Sequence, residues 1–532
     1  MLFELAALSQ SSYLDCIQQN IPLDPFPSPD STRPETEHTM AIGAAFSMMS
    51  AFFMGGLYVA GALGAIALLL MKFFNISNPN LWNIMGNRAW ESSTNFILIA
   101  IPLFILMGEL VLRSGVAERM YNVLSRWLVF IPGGLIHSNI ASCAIFAACA
   151  GSSVATAATI SRVALPSFRQ RGYNERLVIG SLAAGGTLGI LIPPSIGLVL
   201  YALIVGESVG RLFLAGFIPG AILAITFMLM IGIAAKIWPG IAPKEPSVSW
   251  RLRFVGLLSL VPIGILVFSV LGSIYFGFAT PTEAAATGVT GALVIAIAGN
   301  SGMLILSLAA GAISRLPFLP SGTKTKLNDF QSAKPVLPGQ VKRNFDEMVN
   351  ILRESFLSTA RTSAMILLIL MAAFALQFAF ASVRISVEMA EWISSFELSQ
   401  LQLILLLVVF YLVLGTFMES YSMMLTTLPI LIPVLNDAGV DKVWFGIIMV
   451  ILLEAAQISP PQGMALYVLH GARKDTDKEL SEYEGVLAQT GTINDVFIGV
   501  LPFMVCMFVV IGLVIAFPEL ATWLPDQAKG NR

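Results

Sequence analysis

The sequence predicts an all-α integral membrane protein, a polytopic helix bundle interrupted by matched breaks. Only 12% of its 532 residues are charged and 56% are hydrophobic, whereas an average soluble domain carries roughly 25% charged residues. Apolar stretches of about 20 residues, long enough to cross the hydrocarbon core of a bilayer, recur along the chain. Two of these regions contain a glycine-led polar break followed, about 42 and about 45 residues later, by a Pro-Pro pair.

The polytopic domain is predicted to occupy residues 42–525, between a polar N-terminal extension, 1–41, and a C-terminal tail, 526–532. The extension contains five prolines among acidic and serine residues, a composition that resists regular structure. It lacks a basic segment before an apolar core, so we do not expect a cleavable signal peptide. Within the domain, the predicted spans lie near 42–71, 94–112, 178–205, 212–235, 254–276, 282–299, 362–382, 443–470 and 496–518.

Two polar insertions interrupt the apolar pattern, at about 300–350 and 471–494. Their charged residues, which cluster in 314–350 and 471–494, predict loops. A further stretch, 114–128, places arginines between apolar positions, which is typical of a helix lying at the inner membrane interface.

The first break predicts a re-entrant hairpin at 133–168, because arginines flank both of its ends. Short cytoplasmic loops are enriched in Lys and Arg, so both ends are expected on the cytoplasmic side. A segment of about 36 residues that returns to its starting side is predicted to have arms at about 133–150 and 157–168. Its tip is then Gly151–Thr156.

The second break predicts a hairpin at 400–435, with Gly415–Ser420 at its tip, that is inserted from the opposite face. Its flanks are acidic and carry few cations, which places both ends outside. The two halves of the chain, about 94–235 and 254–518, are therefore predicted to form an inverted-topology repeat. Taken singly, each hairpin is also compatible with two ordinary helices whose Gly and Ser residues allow close packing.

Each hairpin is followed by a predicted broken membrane helix, in 178–205 and in 443–470. The first contains Gly185-Gly186-Thr187 and Ile192-Pro193-Pro194-Ser195, and the second contains Gln457-Ile458-Ser459-Pro460-Pro461-Gln462-Gly463. In lipid an unpaired backbone group costs several kcal/mol, so a broken helix at membrane depth must be buried in protein or line a site. Matching breaks in two halves indicate a secondary transporter.

The breaks also predict the chemistry of the site. Broken helices expose backbone carbonyls that, with neighbouring hydroxyls, ligate hard cations such as sodium. The partial positive charge at half-helix N-termini suits a carboxylate. Because the sequence contains no GxxxxGK[ST] phosphate loop, an ion gradient is the expected energy source. For any single hydroxyl the alternative is a hydrogen bond to the carbonyl one turn earlier in its own helix.

Polar and glycine positions at the tips and breaks are assigned to substrate binding: Gly151, Thr156, Ser195, Gly415, Thr416, Glu419, Gln457 and Gln462. Four acids lie inside predicted spans, where a charge is costly and a functional role is the default expectation. Glu419, at a hairpin tip, is the predicted residue for ion coupling or gating, while Glu283 is expected to cap a helix start. For Glu109 and Glu454, a functional role and hydrogen bonding to neighbouring helices both stay open.

The residue pattern predicts neither catalysis nor a bound cofactor. The cysteines, Cys16, Cys143, Cys149 and Cys506, lack metal-ligand spacing and are expected to pack in the apolar interior. The histidines are widely separated, so sodium is the only metal ion expected and no transition-metal site is predicted. The net charge of −2 gives no indication of nucleic-acid binding. A membrane enzyme that uses Glu419 or Glu454 as an acid or base is the alternative from another functional class.

At these residues the chain resembles the large membrane subunit of tripartite ATP-independent periplasmic (TRAP) transporters, the DctM-like permease family. The likeness covers about 42–525, in order. It rests on strings at the spans and breaks, which are Ile101–Leu110, Ala183–Thr187, Ile192–Ser195, Phe213–Gly220, Pro281–Ala285, Thr359–Met365, Ile458–Gly463 and Phe517–Pro525.

The resemblance implies an elevator-type ion transporter fold in a bacterial cell inner membrane and sodium-driven uptake of an organic acid. It implies two partners, a small TRAP membrane subunit and a periplasmic substrate-binding protein. The extension at 1–41 is too short and polar to be a fused small subunit, so that subunit is expected on a separate chain. The alternative is a stand-alone ion-coupled carboxylate carrier of related fold. Sodium binding is carried over to Ser152, Ser153, Gly186, Thr187, Pro193, Ser420, Ser459 and Pro460.

Overall fold

The described part of the chain is helical throughout its regular structure. The computed structural model describes residues 57–73 and 94–530, apart from 244, 246–247, 315–337, 384, 417, 462 and 485–490, together with short stretches between 40 and 90. Except for Met40, the predicted N-terminal extension lies outside the described residues, as do 315–337 and 485–490 of the two polar insertions and the last two residues of the tail.

The helices, numbered in chain order, begin and end at caps, at breaks or at the ends of apolar runs. They are α1 Val59–Phe73, α2 Phe96–Arg113, α3 Val116–Leu128, α4 Leu135–Ala150, α5 Ser153–Arg171, α6 Glu175–Leu191, α7 Ile196–Val205, α8 Val209–Ile237, α9 Trp250–Leu257, α10 Val261–Tyr275, α11 Pro281–Ser314, α12 Pro338–Ser382, α13 Ile385–Ser394, α14 Gln400–Leu414, α15 Ser420–Asp437, α16 Lys442–Gln457, α17 Met464–Glu484, α18 Ile493–Ala516 and α19 Glu519–Gly530.

Several of these helices are long and apolar enough to cross a membrane. Within the described residues five qualify, and the number rises to seven if two bent pairs, α6–α7 and α9–α10, each count as one span. The five are Phe96–Arg113, Val209–Ile237, Pro281–Gly299, Arg343–Ser382 and Ile493–Ala516. The prediction of an all-α, polytopic membrane protein is therefore confirmed.

Hairpin one consists of α4 and α5, and its turn is very short. Gly151 ends α4 with a φ of 59°, a left-handed conformation that glycine adopts without steric cost. Ser152 is extended, with φ −138° and ψ 125°, so the second arm begins at once at Ser153. The predicted start of that arm at 157 is wrong, because a single glycine suffices to reverse the chain and no longer loop is needed.

Hairpin two consists of α14 and α15, joined through a turn that starts at Gly415. Ser399 and Gln402 form a capping box at the start of α14, which satisfies backbone N–H groups there. Inside the hairpin the Tyr411 hydroxyl lies 2.5 Å from Thr427 Oγ1 and joins the two arms. Both predicted hairpins are thus present as paired helical arms.

The two broken helices are α6–α7 and α16–α17, as predicted. The first bends by 41° across Ile192–Ser195, where two prolines remove backbone donors and end α6. The second is interrupted between Gln457 and Met464, and both Pro-Pro bonds, at 193–194 and 460–461, are cis. Asn174 and Asp441 start α6 and α16 as N-caps, accepting hydrogen bonds from Leu177 and Trp444.

The order of elements repeats in the two halves of the chain. In each half a long helix (α2 or α12) is followed by a short one (α3 or α13), a hairpin, a broken helix and a second long helix (α8 or α18). The stretch predicted to lie at the interface forms α3, with Val116, Met120 and Val123 buried and Glu118 exposed. The insertion of the hairpins from opposite faces stays a prediction from charge.

Loops are the wrong prediction for parts of both polar insertions. Helix α17 continues to Glu484, α11 continues to Ser314 and α12 already begins at Pro338. Charged residues rarely cross a bilayer, but they readily continue a helix beyond it. In α17 they also pack: Arg473 is only 2% exposed, and its Nε lies 2.5 Å from Glu175 Oε1.

The helices pack as two groups. The hairpin group consists of the two hairpins, the two broken helices, α8 and α18; within it α6 packs against α4, α5 and α18. Every residue of α16 from Val443 to Gln457 is buried, as expected for a helix surrounded on all sides. The flanking group consists of α1, α2, α10, α11 and α12, with α2 packed along α11 and α12.

Candidate functional site

The tip of hairpin one is seated on the first broken helix through glycines. A Cβ atom at Gly186 would lie 2.7 Å from the Cβ atom of Ala157, and one at Gly189 would lie 2.9 Å from the carbonyl oxygen of Ser152. Real Cβ atoms do not approach other atoms so closely, so only glycine permits this contact. The sequence prediction named Gly186 but missed Gly189, whose signal is its spacing of three residues from Gly186 on one helix face.

Hairpin one also reaches the second broken helix through a buried hydrogen bond. Ser153 Oγ donates to Glu454 Oε1 over 2.6 Å, and the two residues are 1% and 0% exposed. The other carboxylate oxygen, Oε2, has no hydrogen-bond partner. Of the two roles left open for Glu454, hydrogen bonding to a neighbouring helix is therefore confirmed.

Hairpin two rests on the same turn of α16. Ser420 Oγ donates to the backbone carbonyl of Leu453 over 3.0 Å, and a Cβ atom at Gly415 would lie 3.2 Å from Cα of Ala456. The residues that receive the two tips, Leu453, Glu454 and Ala456, are consecutive or nearly so. The structure therefore brings Ser153 and Ser420, both predicted ion ligands, to one helical turn.

Two buried side-chain oxygen atoms at the end of α16 have no hydrogen-bond partner. Gln457 is 8% exposed and its Oε1 has no partner, like Oε2 of Glu454. The two residues are three positions apart and so lie on one face of α16. Carboxylate, amide and hydroxyl oxygens are the ligands that hard cations prefer, so the side chains present fit an alkali cation.

Three other predicted hydroxyls donate to a backbone carbonyl three or four residues earlier in the chain. Thr156 donates to the Ser152 carbonyl over 2.8 Å, Thr187 to Ala184 over 2.6 Å and Thr416 to Val413 over 2.7 Å. For these residues the structure contains the alternative to ligand binding, a hydrogen bond to a backbone carbonyl about one turn earlier. Each hydroxyl oxygen keeps acceptor lone pairs, so their roles as ligands stay predictions.

Two more predicted residues act as helix caps. Ser195 accepts a hydrogen bond of 3.2 Å from the Leu198 N–H at the start of α7. Glu419 accepts one of 3.0 Å from the Ser422 N–H at the start of α15. The cap fixes this half-buried carboxylate at the start of α15, and ion coupling or gating by Glu419 stays a prediction.

The remaining predicted residues lie in the breaks and at the tips. Gly151 packs beside the first break, where its Cβ atom would lie 3.3 Å from the Pro194 carbonyl. Ser459 and Pro460 are partly buried within the second break, while Gln462 lies outside the described residues. Pro193 instead lines a large apolar crevice between hairpin one, α8 and α10.

The other two intramembrane acids have structural partners. Glu109 Oε1 accepts a hydrogen bond of 2.7 Å from Ser358 on α12, and Glu109 pairs with Arg113 at 3.2 Å. It therefore bonds a neighbouring helix. Glu283 Oε2 accepts from the Thr280 N–H over 2.8 Å, which confirms its predicted capping role. The described cysteines, Cys143, Cys149 and Cys506, are buried and free, which confirms their packing role; Cys16 lies outside the described residues.

Comparisons with known proteins identify relatives across nearly the whole chain. Residues 46–520 match the family model described as tripartite ATP-independent periplasmic transporter, DctM component. The chain is 29% identical over 496 residues to the sialic acid TRAP transporter large permease protein SiaM of Vibrio cholerae serotype O1, covering 92% of this chain and 99% of that protein. It is 30% identical over 413 residues to the C4-dicarboxylate TRAP transporter large permease protein DctM of Pseudomonas aeruginosa, covering 77% and 83%. The crystal structure of the Alcanivorax borkumensis YdaH transporter aligns at a TM-score of 0.49 with 15% identity, over 91% of this chain and 99% of that one.

Proposed function

The chain belongs to the DctM family, the large permease subunits of tripartite ATP-independent periplasmic transporters, and we propose that it drives uptake of an organic acid with a sodium gradient. One observation carries the proposal: both hairpin tips converge on the Leu453–Ala456 turn of α16. A cation bound at that turn would contact both halves of the repeat at once. Its presence would therefore favour one arrangement of the two tips.

Sodium is the proposed coupling ion because of the oxygen atoms that meet at this turn. Ser153 and Ser420 contribute hydroxyls, and Glu454 and Gln457 contribute oxygens without partners. With the backbone carbonyls of the break around Ser459, these oxygens make up a set that is typical of sodium sites in transporters with broken helices. A buried carboxylate also becomes less costly when a cation neutralises it.

A carboxylate is the proposed substrate class. The two similar permeases described above are named for sialic acid and for C4-dicarboxylates, and both of these are carboxylates. In this chain α5, α7 and α15 begin at hairpin tips or at a break, and their N-termini carry partial positive charge. An anion held there needs no arginine inside the membrane.

Movement of the hairpin group against the flanking group is the proposed transport step, an elevator motion. The hairpin group is tied together by contacts such as α6 with α18 and α16 with α6. Between the groups, α2 approaches the tip of hairpin one closely, since a Cβ atom at Gly108 would lie 2.9 Å from Cα of Ala150. A rigid inner body and a separate outer body are what such a motion requires.

We further propose that the permease works in a bacterial inner membrane with a small membrane subunit on a separate chain. A periplasmic binding protein would deliver the substrate to the pair. The test is uptake into proteoliposomes containing the permease with or without these partners, driven by sodium or potassium gradients. Uptake that needs all partners and sodium is expected; uptake by the permease alone would favour the stand-alone carrier instead.

The sodium site is tested by two variants, Ser153→Ala and Ser459→Ala. Each is expected to raise the sodium concentration for half-maximal uptake without preventing membrane insertion. Ser125→Ala is the matched control, because Ser125 is only partly buried on α3 and its hydroxyl donates within that helix. Sodium activation that is unchanged in both site variants would contradict the assignment.

A further inference from the structure

An aromatic platform, formed by Trp127 of α3 and by Trp250 and Phe254 of α9, lies on the side that the flanking arginines predict to be cytoplasmic. The Trp127 ring stands edge-on to the other two, with ring centroids 6.2 and 5.4 Å apart. Although they pack together, Trp250 and Phe254 are 63% and 58% exposed. Exposed aromatic rings are enriched at the boundary between lipid and water, so we expect the platform to lie at the level of the lipid headgroups.

Helix α9 runs along that boundary rather than across it. It is bent by 42° from the apolar helix α10 that follows it. Only Arg253 and Gly256, three positions apart, are buried in α9, and Arg251 and Leu252 are both exposed. A short helix that exposes cationic and apolar side chains together is typical of the membrane interface.

Arg253 is the unusual residue of this helix, because it is a buried cation without a counter-charge. It is 6% exposed, and its guanidinium carbon lies 4.9 Å from the ring centroid of Trp250 and 5.4 Å from that of Phe130. Its Nε is enclosed and has no hydrogen-bond partner. The two terminal nitrogens also lack a partner among the described residues, but they are not enclosed as Nε is, so a ligand can reach them.

The segments that surround Arg253 supply no acid to neutralise it. Residues 119–174, which continue from α3 into hairpin one, and residues 246–282, which include α9, contain no Asp or Glu. By contrast, the buried Arg473 pairs with Glu175. A buried charge without a partner is costly, and attraction to two aromatic rings offsets only part of that cost. An anion from outside the chain is therefore expected to complete this site.

The anion that a membrane offers at this level is the phosphate of a lipid headgroup. A guanidinium binds phosphate oxygens through two parallel N–H bonds, and basic residues at the cytoplasmic surface attract anionic lipids. Arg251 on α9 and Arg126 on α3 are exposed next to platform residues and add positive charge. Leu252 and Leu258, which are 52% and 70% exposed, provide apolar surface along which acyl chains can lie.

We propose that Arg253, with Arg251 and Arg126 beside it, binds the headgroup of an anionic phospholipid of the cytoplasmic leaflet. The platform lies on two connections between the packed groups. Helix α3 links α2 of the flanking group to hairpin one, and α9 links α8 of the hairpin group to α10 of the flanking group. The lipid therefore holds both connections at the membrane surface. It is a ligand distinct from the substrate and the coupling ion, and its binding is measured without transport.

The test uses the full-length permease purified in detergent, with dioleoyl phosphatidylglycerol as the anionic lipid and dioleoyl phosphatidylcholine as the zwitterionic lipid. Native mass spectrometry gives the apparent Kd of each lipid. The wild type is expected to bind phosphatidylglycerol at least about fivefold more tightly than phosphatidylcholine. Arg253→Met, which keeps an unbranched apolar side chain, should raise the phosphatidylglycerol Kd at least about fivefold. The control Arg353→Gln, on an exposed arginine of α12, should leave it unchanged.

Thermal unfolding of the same samples separates a lipid site from a structural charge. Without added lipid, Arg253→Met should unfold at the same temperature as the wild type or at a higher one, because an unpaired buried charge has been removed. With phosphatidylglycerol, the midpoint of the wild type should rise more than that of the variant, because a bound ligand stabilises the folded state.

Each contrary result overturns the inference. Equal affinity of the wild type for the two lipids, or an unchanged phosphatidylglycerol Kd in Arg253→Met, would show that no anionic headgroup is held there. An equal rise of the Kd in Arg353→Gln would indicate general attraction to a basic surface. Stabilisation by inorganic phosphate equal to that by phosphatidylglycerol would identify a site for free anions instead of lipid. A lower midpoint of Arg253→Met without lipid would show that the aromatic rings alone stabilise the charge.

Discussion

The Glu454→Gln variant separates the charge of the buried carboxylate from its shape. Glutamine is nearly isosteric with glutamate and retains an oxygen that accepts the hydrogen bond from Ser153, which is 2.6 Å long in the wild type. What the variant removes is the anionic character at Oε2, the oxygen without a partner. If a sodium ion binds at this turn, the variant should weaken ion binding and leave the fold intact.

The size of the effect follows from electrostatics in a buried site. Opposite unit charges 4 Å apart attract by about 4 kcal/mol at an effective dielectric constant of 20. Loss of one third of that attraction, about 1.4 kcal/mol, changes a binding constant tenfold. We therefore expect the sodium concentration for half-maximal uptake to rise at least about tenfold. Because the acceptor for Ser153 is kept, the unfolding midpoint should fall by less than about 3 °C.

The assay is initial-rate uptake in proteoliposomes over a range of external sodium concentrations, with thermal unfolding of the same preparation. Glu118→Gln is the matched control, since Glu118 is exposed on α3, outside both hairpins and both broken helices. It makes the same chemical change without touching α16. Equal sodium dependence is expected for this control and the wild type.

Three outcomes would refute the reasoning. Unchanged sodium dependence in Glu454→Gln would mean that the carboxylate serves packing and hydrogen bonding alone. Uptake that became insensitive to pH instead of sodium would mean that the residue carries a proton. A large loss of stability would point to a structural charge.

Two further predictions concern packing. Gly189→Leu should abolish uptake and lower the unfolding midpoint, because its Cβ atom would lie 2.9 Å from the backbone at the tip of hairpin one and overpacking typically costs about 1–3 kcal/mol. The control Gly512→Leu, which has open space around it, should change neither uptake nor the midpoint. Equal effects of the two variants would contradict the close contact between Gly189 and the tip. Arg473→Ala should destabilise the fold by about 1 kcal/mol, measured by unfolding, because it removes one ion pair of Glu175, which is partly exposed and keeps its pair with Arg169 at 2.8 Å. The exposed neighbour provides the control Lys474→Ala, and a destabilisation no larger than in this control would show that the ion pair contributes little.

The local breaks were predictable from sequence because Gly and Pro act on the backbone at their own positions. Gly151 reverses the chain with a positive φ, and Pro-Pro pairs stand in both helix breaks, whereas a single proline such as Pro219 lies inside a helix. The capping role of Glu283 was equally local, since its partner Thr280 is three residues away.

The contact between the tip of hairpin one and α16 cannot be predicted from the sequence. Ser153 and Glu454 are 301 residues apart, and no periodicity or motif links them. The sequence does not single out Gly189, because a glycine within an apolar helix carries a weak local signal, although a Cβ atom there would collide with the tip of hairpin one. The extension of α17 was mistaken for a loop because charge was taken as a sign of irregular structure, whereas Arg473 is buried against Glu175.

The hydrogen bond between Ser153 and Glu454 can form only late in the synthesis of the chain. Ribosomes add about 5–20 residues per second, so Glu454 is synthesised roughly 15–60 s after Ser153, given their separation of 301 residues. During that interval the tip of hairpin one exists in the membrane without the acceptor that later receives its hydroxyl. The first half of the chain therefore completes its own tip only when the second half arrives, and the nascent hairpin must be tolerated by the lipid or by the insertion machinery until then.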